Sequence, residues 1–261
     1  MIPEGVPGLR VVVAAHKPYW MPSDPCYLPV WAGSARSEGE VPDGWQRDDA
    51  GENISDKSWG YCEMSALYWA WRNLPTDHLG LVHYRRHFSA PGARGDKRSR
   101  IISGDSLREI LARTPVILPR ERRYWIETGW SHYAHAHHEQ DLVATRQVLS
   151  EMHPDCVGIF DDVLGRTHVH RFNMFCMRRD LADEYCSWVF PMLAELEERI
   201  DLTGYTEADR RVYGYMSERL LDVWVERAGV SFTELPVVFL ESQHWPAKAA
   251  AFLARKFLPR R

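Results

Sequence analysis

Three short apolar runs, each followed by a stretch with helical spacing, constrain this chain most. Arg10-Val-Val-Val-Ala-Ala15, Leu79-Gly-Leu-Val-His83 and Pro115-Val-Ile-Leu-Pro119 are apolar at nearly every position. A strand with one wet face alternates apolar and polar residues, whereas a strand apolar on both faces must be covered on both. Tyr61, Met64, Leu67, Tyr68 and Trp71 share a helical face, with Ser58 in position to cap it. Leu181–Ile200 and Asp209–Arg227 are amphipathic in the same way, and a further helix is read over 131–152. Asp105 stands where it can cap a short helix, and two more strands are expected at Val169–Met177 and Pro236–Leu240. Strands alternating with helices predict an α/β fold, a mixed and mostly parallel sheet flanked by helices. With 261 residues and no internal repeat, a single domain over residues 1–245 is the simplest organisation, followed by a tail at 246–261.

Several classes lose support at once. No apolar run nears the ~20 residues a membrane helix needs. The start, Met1-Ile-Pro-Glu-Gly5, lacks the basic and apolar regions of a secretory signal. Five cysteines are scattered without a C-x-x-C pair and read as reduced thiols of a cytoplasmic protein. There is no G-x-G-x-x-G after the first strand, no Walker loop, no G-x-S-x-G and no H-E-x-x-H. His132, His135 and His138 recur every three residues, which suits one face of a helix; without carboxylate or thiolate ligands at known spacing, a plain amphipathic face outweighs a metal site. His138 and Asp141 remain candidates for holding a polar substrate.

The net charge of −4 conceals segregation. Residues 85–123 hold 11 basic and 4 acidic side chains, while 124–245 hold 10 and 21. The last sixteen residues hold 5 basic side chains and no acidic one. A basic centre and a basic tail in an acidic body suit an anionic ligand and an anionic surface. Phe252, Leu253 and Phe257 among Lys248, Arg255, Lys256, Arg260 and Arg261 make the tail a basic amphipathic segment. Either it lies on an anionic leaflet or it docks on its own domain. The acidic surroundings and lack of a recognition motif argue against nucleic acid as a partner.

The basic centre opens at His83-Tyr84-Arg85-Arg86, directly after an apolar strand. In open α/β sheets ligands gather beyond the carboxyl ends of strands. Two guanidiniums there match a diphosphate in bidentate fashion; a surface turn of ion-paired arginines is the competing account. Asn53, Asp56 and Lys57 lie in a loop ahead of a helix, a setting suited to a ribose or base. Glu63 falls near the start of that helix, where the dipole favours an acid. Trp69 and Trp71 belong with the core rather than with a sugar platform.

A set of segments in order along the chain resembles one bacterial family. They are Gly51-Glu-Asn-Ile-Ser55, Tyr61 to Asn73, Gly80 to Phe88, Phe172-Asn-Met-Phe-Cys-Met177, Glu184 to Phe190 and Tyr213-Gly-Tyr-Met-Ser-Glu-Arg-Leu-Leu221. That family was long labelled a domain of unknown function, occurs in capsule, exopolysaccharide and O-antigen clusters, and is regarded as one of glycosyltransferases, some of them galactofuranosyltransferases. The resemblance spans roughly residues 11–228. It implies a GT-A-like fold, a nucleotide-sugar donor, most simply a UDP-sugar, and a glycan or lipid-linked acceptor met at the inner face of the membrane.

The resemblance assigns expected roles. GT-A folds usually hold Mn²⁺ or Mg²⁺ on an Asp-x-Asp at a strand end. Here the strand ends in cations, so Arg85 and Arg86, with His83 and Tyr84 beside them, are expected to meet the diphosphate without a metal; Asp48-Asp49 is the remaining acidic pair, expected to be solvated. His16 and Lys17 follow the first strand, where such folds meet the nucleotide. Glu218 is the candidate base, with Glu207, Asp209 and Asp141 as rivals, and periodicity turns it away from the apolar face toward water or a cleft. Asn173 and Arg219 are expected on the sugar or acceptor side. A non-catalytic nucleotide- or sugar-binding protein fits the same residues.

Overall fold

The structure, a computed structural model, describes residues 8–241. The tail at 246–261 lies outside the described residues. The first run forms β1 (Leu9–Ala15), flanked by β2 (Tyr27–Trp31) and beyond it β3 (Gln46–Arg47), all parallel. A helical stretch follows as α1 (Ser58–Tyr61) and α2 (Met64–Asn73) and leads into β4 (His78–His83), parallel to β1 on its other side. A turn at Tyr84-Arg85 reverses the chain into β5 (Arg86–Phe88). Then come α3 (Gly104–Leu111), β6 (Val116–Pro119), the two-residue β7 (Arg122–Arg123), α4 (Gly129–Ala136), α5 (Glu139–Met152) and α6 (Val157–Gly165). The short β8 (His168–Val169) pairs with β7, and β9 (Phe175–Arg178) runs antiparallel between β4 and β6. Helices α7 (Arg179–Arg199) and α8 (Val212–Ala228) precede β10 (Phe232–Leu235) and β11 (Val237–Phe239).

The main sheet has the order β10-β6-β9-β4-β1-β2-β3, with β5 and β11 attached at the end of β4. Along that path only β9 runs against the rest, which bears out the mixed, mostly parallel sheet. Strand β1 shows why both faces are covered. Leu9, Val11, Val13 and Ala15 point to the face packed by Leu107 and Leu111 of α3, while Val12 and Ala14 point to the face covered by α2, α5, α6, α7 and α8. At the centre, Gly80 of β4 sits between Val11 and Cys176; a Cβ there would lie 2.6 Å from Cys176 Sγ.

Three expected elements are interrupted, each for a local reason. The helix expected from Ser58 breaks at Cys62, whose backbone is left-handed at φ 53°. Gly60 and Gly214 let α1 lie directly against α8, since a Cβ on either would meet the facing side chain. Ser58 is the first residue of α1 and caps nothing, and the cap of α3 is Ser103, which accepts from Ser106 N–H, rather than Asp105. The long helix over 131–152 divides at His137-His138, where the backbone is extended and His137 Nδ1 meets Asp209 Oδ1 at 2.9 Å. The strand expected over Val169–Met177 is two strands separated by a turn with positive φ at Phe172 and Asn173. Strands β2 and β10 and helix α6 had no clear expectation; in β2, Pro29 interrupts the apolar run.

Candidate active site

The carboxyl ends of β1, β2 and β4 open onto a cleft of two joined chambers. The first, about 340 Å³, is lined by Ala14, Ala15 and His16 after β1, Ala32 and Arg36 after β2, Trp59 of α1, and Glu207. The second, about 190 Å³, is lined by Arg85, Arg86, Arg171, Phe172, Tyr215 and Glu218. Cys62, Glu63, His83 and Arg211 line both. The antiparallel course of β9 matters here: it delivers the turn before it, with Arg171 and Phe172, to the edge where the parallel strands end.

The second chamber therefore gathers four guanidiniums around two carboxylates. Arg86 packs its guanidinium 4.5 Å from the centre of the Phe172 ring. Arg85 lies 5.1 Å over Tyr84 and pairs with Glu241 at 3.3 Å. Arg171 donates to Tyr124 OH at 3.0 Å and faces Glu218 at 3.6 Å. Arg211 donates to Cys62 Sγ at 3.1 Å. Among the described residues, buried Glu218 Oε2 has only its ion pair with Arg171 and no hydrogen bond, and buried Asn173 Oδ1 has no hydrogen-bond partner. Asn173 Nδ2 donates to Glu63 Oε1 at 3.1 Å and to the Gly214 carbonyl at 3.0 Å. Burial, and then the charge of Glu218, raises the Glu63 carboxyl above the usual range.

His83 is 8% exposed, and burial with the nearby Arg86 and Arg85 charges drives its pKa down to about 2. The imidazole is neutral, so it adds no charge against a diphosphate, contrary to the cationic role expected of it. Its Nδ1 accepts from Arg85 N–H at 3.3 Å, which assigns the proton to Nε2 and makes that atom a donor. Burial and the charge of Arg85 likewise lower His16, whose ring meets Tyr84 edge-on at 5.4 Å. Lys17 is exposed, 5.8 Å from the Tyr84 ring. Tyr84 itself is 1% exposed, a support for the histidines and Arg85 rather than a surface for a ligand.

The structure brings Arg85, Arg86, His83, His16, Glu63 and Glu218 together, with Lys17 and Asn173 at their edges. It does not bring in Asn53, Asp56 or Lys57. Asn53 bonds within its own loop, to the carbonyls of Asp49 and Gly51 and to Ser55 N–H. Asp56 is exposed on a short turn, and Lys57 pairs with Glu197 of α7 at 2.8 Å. On the acceptor side, Asp141 is fully buried and accepts from Tyr133 OH and Tyr205 OH, which consumes the carboxylate as a latch. His138 stacks on Tyr205 at 3.9 Å, and Arg219 lies over Tyr133 at 4.4 Å beneath the cleft. Neither lines either chamber. Among the rival bases, Asp209 is engaged by His137, while Glu207 lines the first chamber.

Asp48 is the clearest correction. It is wholly buried and accepts from Gly33 N–H, Ser34 N–H, Ser55 Oγ and Ser65 Oγ, whereas Asp49 pairs with Arg47. Asp48 is not solvated as expected, Asp49 stays partly exposed, and the two are not arranged as a metal clamp. His132, His135 and His138 do not share a helix face, because the break before α5 separates the last from the others. Among the described residues no three His, Cys, Asp or Glu side chains gather to hold a metal ion, and at the end of β4, where a GT-A fold would hold one, the side chains are cations that do not fit it. Arg36, Arg171, Arg211 and Phe172 were missed as site residues. The only sequence signal for Arg171 was its place beside the motif beginning at Phe172.

A family model described as "Domain of unknown function (DUF4422)" matches residues 10–229. A solved structure titled as the apo form of the WbbM bifunctional glycosyltransferase matches with a TM-score of 0.82 and 25% identity. The match covers 90% of this chain and 46% of that one, so the chain spans just under half the length of that protein. No curated protein matches the sequence. The architecture is the GT-A-like α/β fold expected from the sequence.

Proposed function

We propose a glycosyltransferase as the function of this chain, which belongs to the DUF4422 family. The observation that carries the reading is the chamber in which Arg85, Arg86, Arg171 and Arg211 surround Glu63 and Glu218 at the carboxyl edge of a GT-A-like sheet. In this reading the nucleoside of a UDP-sugar occupies the larger chamber beside His16, Arg36 and Trp59. The diphosphate crosses to the guanidiniums, with His83 Nε2–H as a further donor. The sugar, a hexose with galactofuranose among the candidates, then lies toward Glu218 and Phe172.

Transfer requires an acceptor hydroxyl oxygen to bond the anomeric carbon as the bond to the diphosphate oxygen breaks. The leaving electron pair stays on the diphosphate, where fixed guanidiniums stabilise the charge that develops. The hydroxyl proton passes to a carboxylate if the anomeric configuration inverts. Glu218 is suited to accept that proton, since it lines the chamber beside Arg171. Glu63 is the companion that burial pushes toward the protonated form. The acceptor is a glycan or lipid-linked glycan of a surface polysaccharide.

Because guanidiniums stand where other GT-A enzymes place acids, turnover is proposed to be independent of Mn²⁺ and Mg²⁺. The test is a panel of nucleotide-sugars in thermal-shift and slow-hydrolysis assays, with and without EDTA. A donor raises the melting temperature by mass action and releases nucleotide at the same rate in EDTA. Stabilisation without nucleotide release identifies a non-catalytic binder. Loss of release in EDTA, restored by Mn²⁺, overturns the metal-free reading.

A further inference from the structure

The turn between β7 and α4 projects two large apolar side chains into solvent. Trp125 is 85% exposed and Ile126 73%, the most exposed large apolar side chains among the described residues. The backbone of Trp125 is left-handed at φ 47°, a conformation bulky residues rarely adopt, and it aims the indole outward. Tyr124 carbonyl accepts from both Ile126 N–H and Glu127 N–H, which closes the turn. Directly before it stand the exposed Arg120, Arg122 and Arg123. Glu121, the one acid among residues 120–126, lies 2.8 Å from His168 Nδ1.

We propose that this turn is a docking surface for an anionic lipid bilayer. An indole with an aliphatic neighbour suits the boundary between headgroups and acyl chains, where tryptophan is enriched. Guanidiniums beside it suit lipid phosphates, and they favour an anionic bilayer over a neutral one. The turn is also coupled to the cleft. Tyr124 accepts from Arg171, which faces Glu218, so the turn connects to the Glu218 end of the second chamber through one side chain. Attachment of this kind requires nothing about turnover, and its test stands whether or not the chain transfers sugar.

The experiment is co-sedimentation of the full-length chain with vesicles of phosphatidylcholine alone and of phosphatidylcholine with phosphatidylglycerol. The wild type is expected to bind the anionic vesicles, and Trp125→Ser/Ile126→Ser to lower that partition by about tenfold with its melting temperature unchanged. A second readout reports position: brominated lipids should quench part of the tryptophan emission, and Trp125→Phe should abolish that part. Equal partition of the wild type and the double variant overturns the proposal, as does quenching that survives Trp125→Phe. So does a wild type that ignores vesicles but self-associates in sedimentation velocity while the double variant does not, since the turn would then be a protein contact.

Discussion

At the residue scale, chemistry in this chain depends on which carboxylates stay available. Asp48 and Asp141 look free in the sequence, but both are buried and consumed by hydrogen bonds. Their partners come from 7 to 64 residues away, which the local pattern of a helix or strand does not show. Glu218 could be placed off the apolar face of its helix, though not between water and cleft; the turn before β9 decides it by bringing Arg171 within 3.6 Å. Arg85 and Arg86 were legible because they directly end an apolar strand. Arg171 and Arg211 were not: Arg171 stands outside any regular element, Arg211 closes a short 3-10 helix (Asp209–Arg211), and each reaches the cleft only through the tertiary fold. Glu218→Gln is expected to reduce turnover by about 10²- to 10⁴-fold while retaining the donor-induced rise in melting temperature. Near-normal turnover would move the proton-accepting role elsewhere, with Glu63 the next residue to test.

At the scale of elements, the strands β1, β4 and β6 were legible because they are buried on both faces, and the helices α7 and α8 because one face of each is buried at helical spacing. The breaks inside apparent elements were not. Cys62, His137 and Phe172 are ordinary residues by propensity, and it is packing against α8, the Asp209 carboxylate and the neighbouring strands that fixes their backbone. Gly80 illustrates how tight that packing is. Gly80→Ala is expected to destabilise the fold by about 1–3 kcal/mol, because the methyl would press on the Cys176 sulfur, the Phe175 carbonyl and the Val11 side chain. Cys176→Ala in the same chain should return part of that loss, measurable as a positive coupling in denaturant melts.

At the scale of the whole molecule, the basic block over 85–123 is not one surface. Arg85 and Arg86 enter the cleft, Arg108 pairs with Asp105, and Arg120, Arg122 and Arg123 precede the exposed turn. Buried histidines set the response to acid. Burial lowers His83 to about 2, His132 to about 3 and His87 to about 4, each against an unfolded value near 6.5. Between those limits the unfolded chain takes up protons that the folded one refuses, so stability falls as pH drops below 6.5, by about 1.4 kcal/mol per pH unit for each such proton. His170 runs the other way: burial opposes its charge, but Asp222 together with Glu121 and Glu234 raises it, so its contribution is present at low pH and fades as pH rises through the folded value. Among the described residues neither ring nitrogen of His87 has a hydrogen-bond partner of good geometry. His87→Phe should raise the melting temperature and flatten its decline between pH 6.5 and 5; an unchanged slope would assign the acid sensitivity to other groups.

The four-arginine chamber also bears on the pace of the proposed reaction. A nucleoside diphosphate released from a sugar carries an additional ionisable phosphate oxygen, so it is more strongly anionic than the donor it came from. Guanidiniums fixed in place attract it more firmly than they attracted the substrate, and no departing cation escorts it into water. Release, rather than bond cleavage, would then limit the cycle. An initial burst of transfer followed by a slower steady rate is expected, with inhibition by nucleoside diphosphate that weakens as salt screens the chamber mouth.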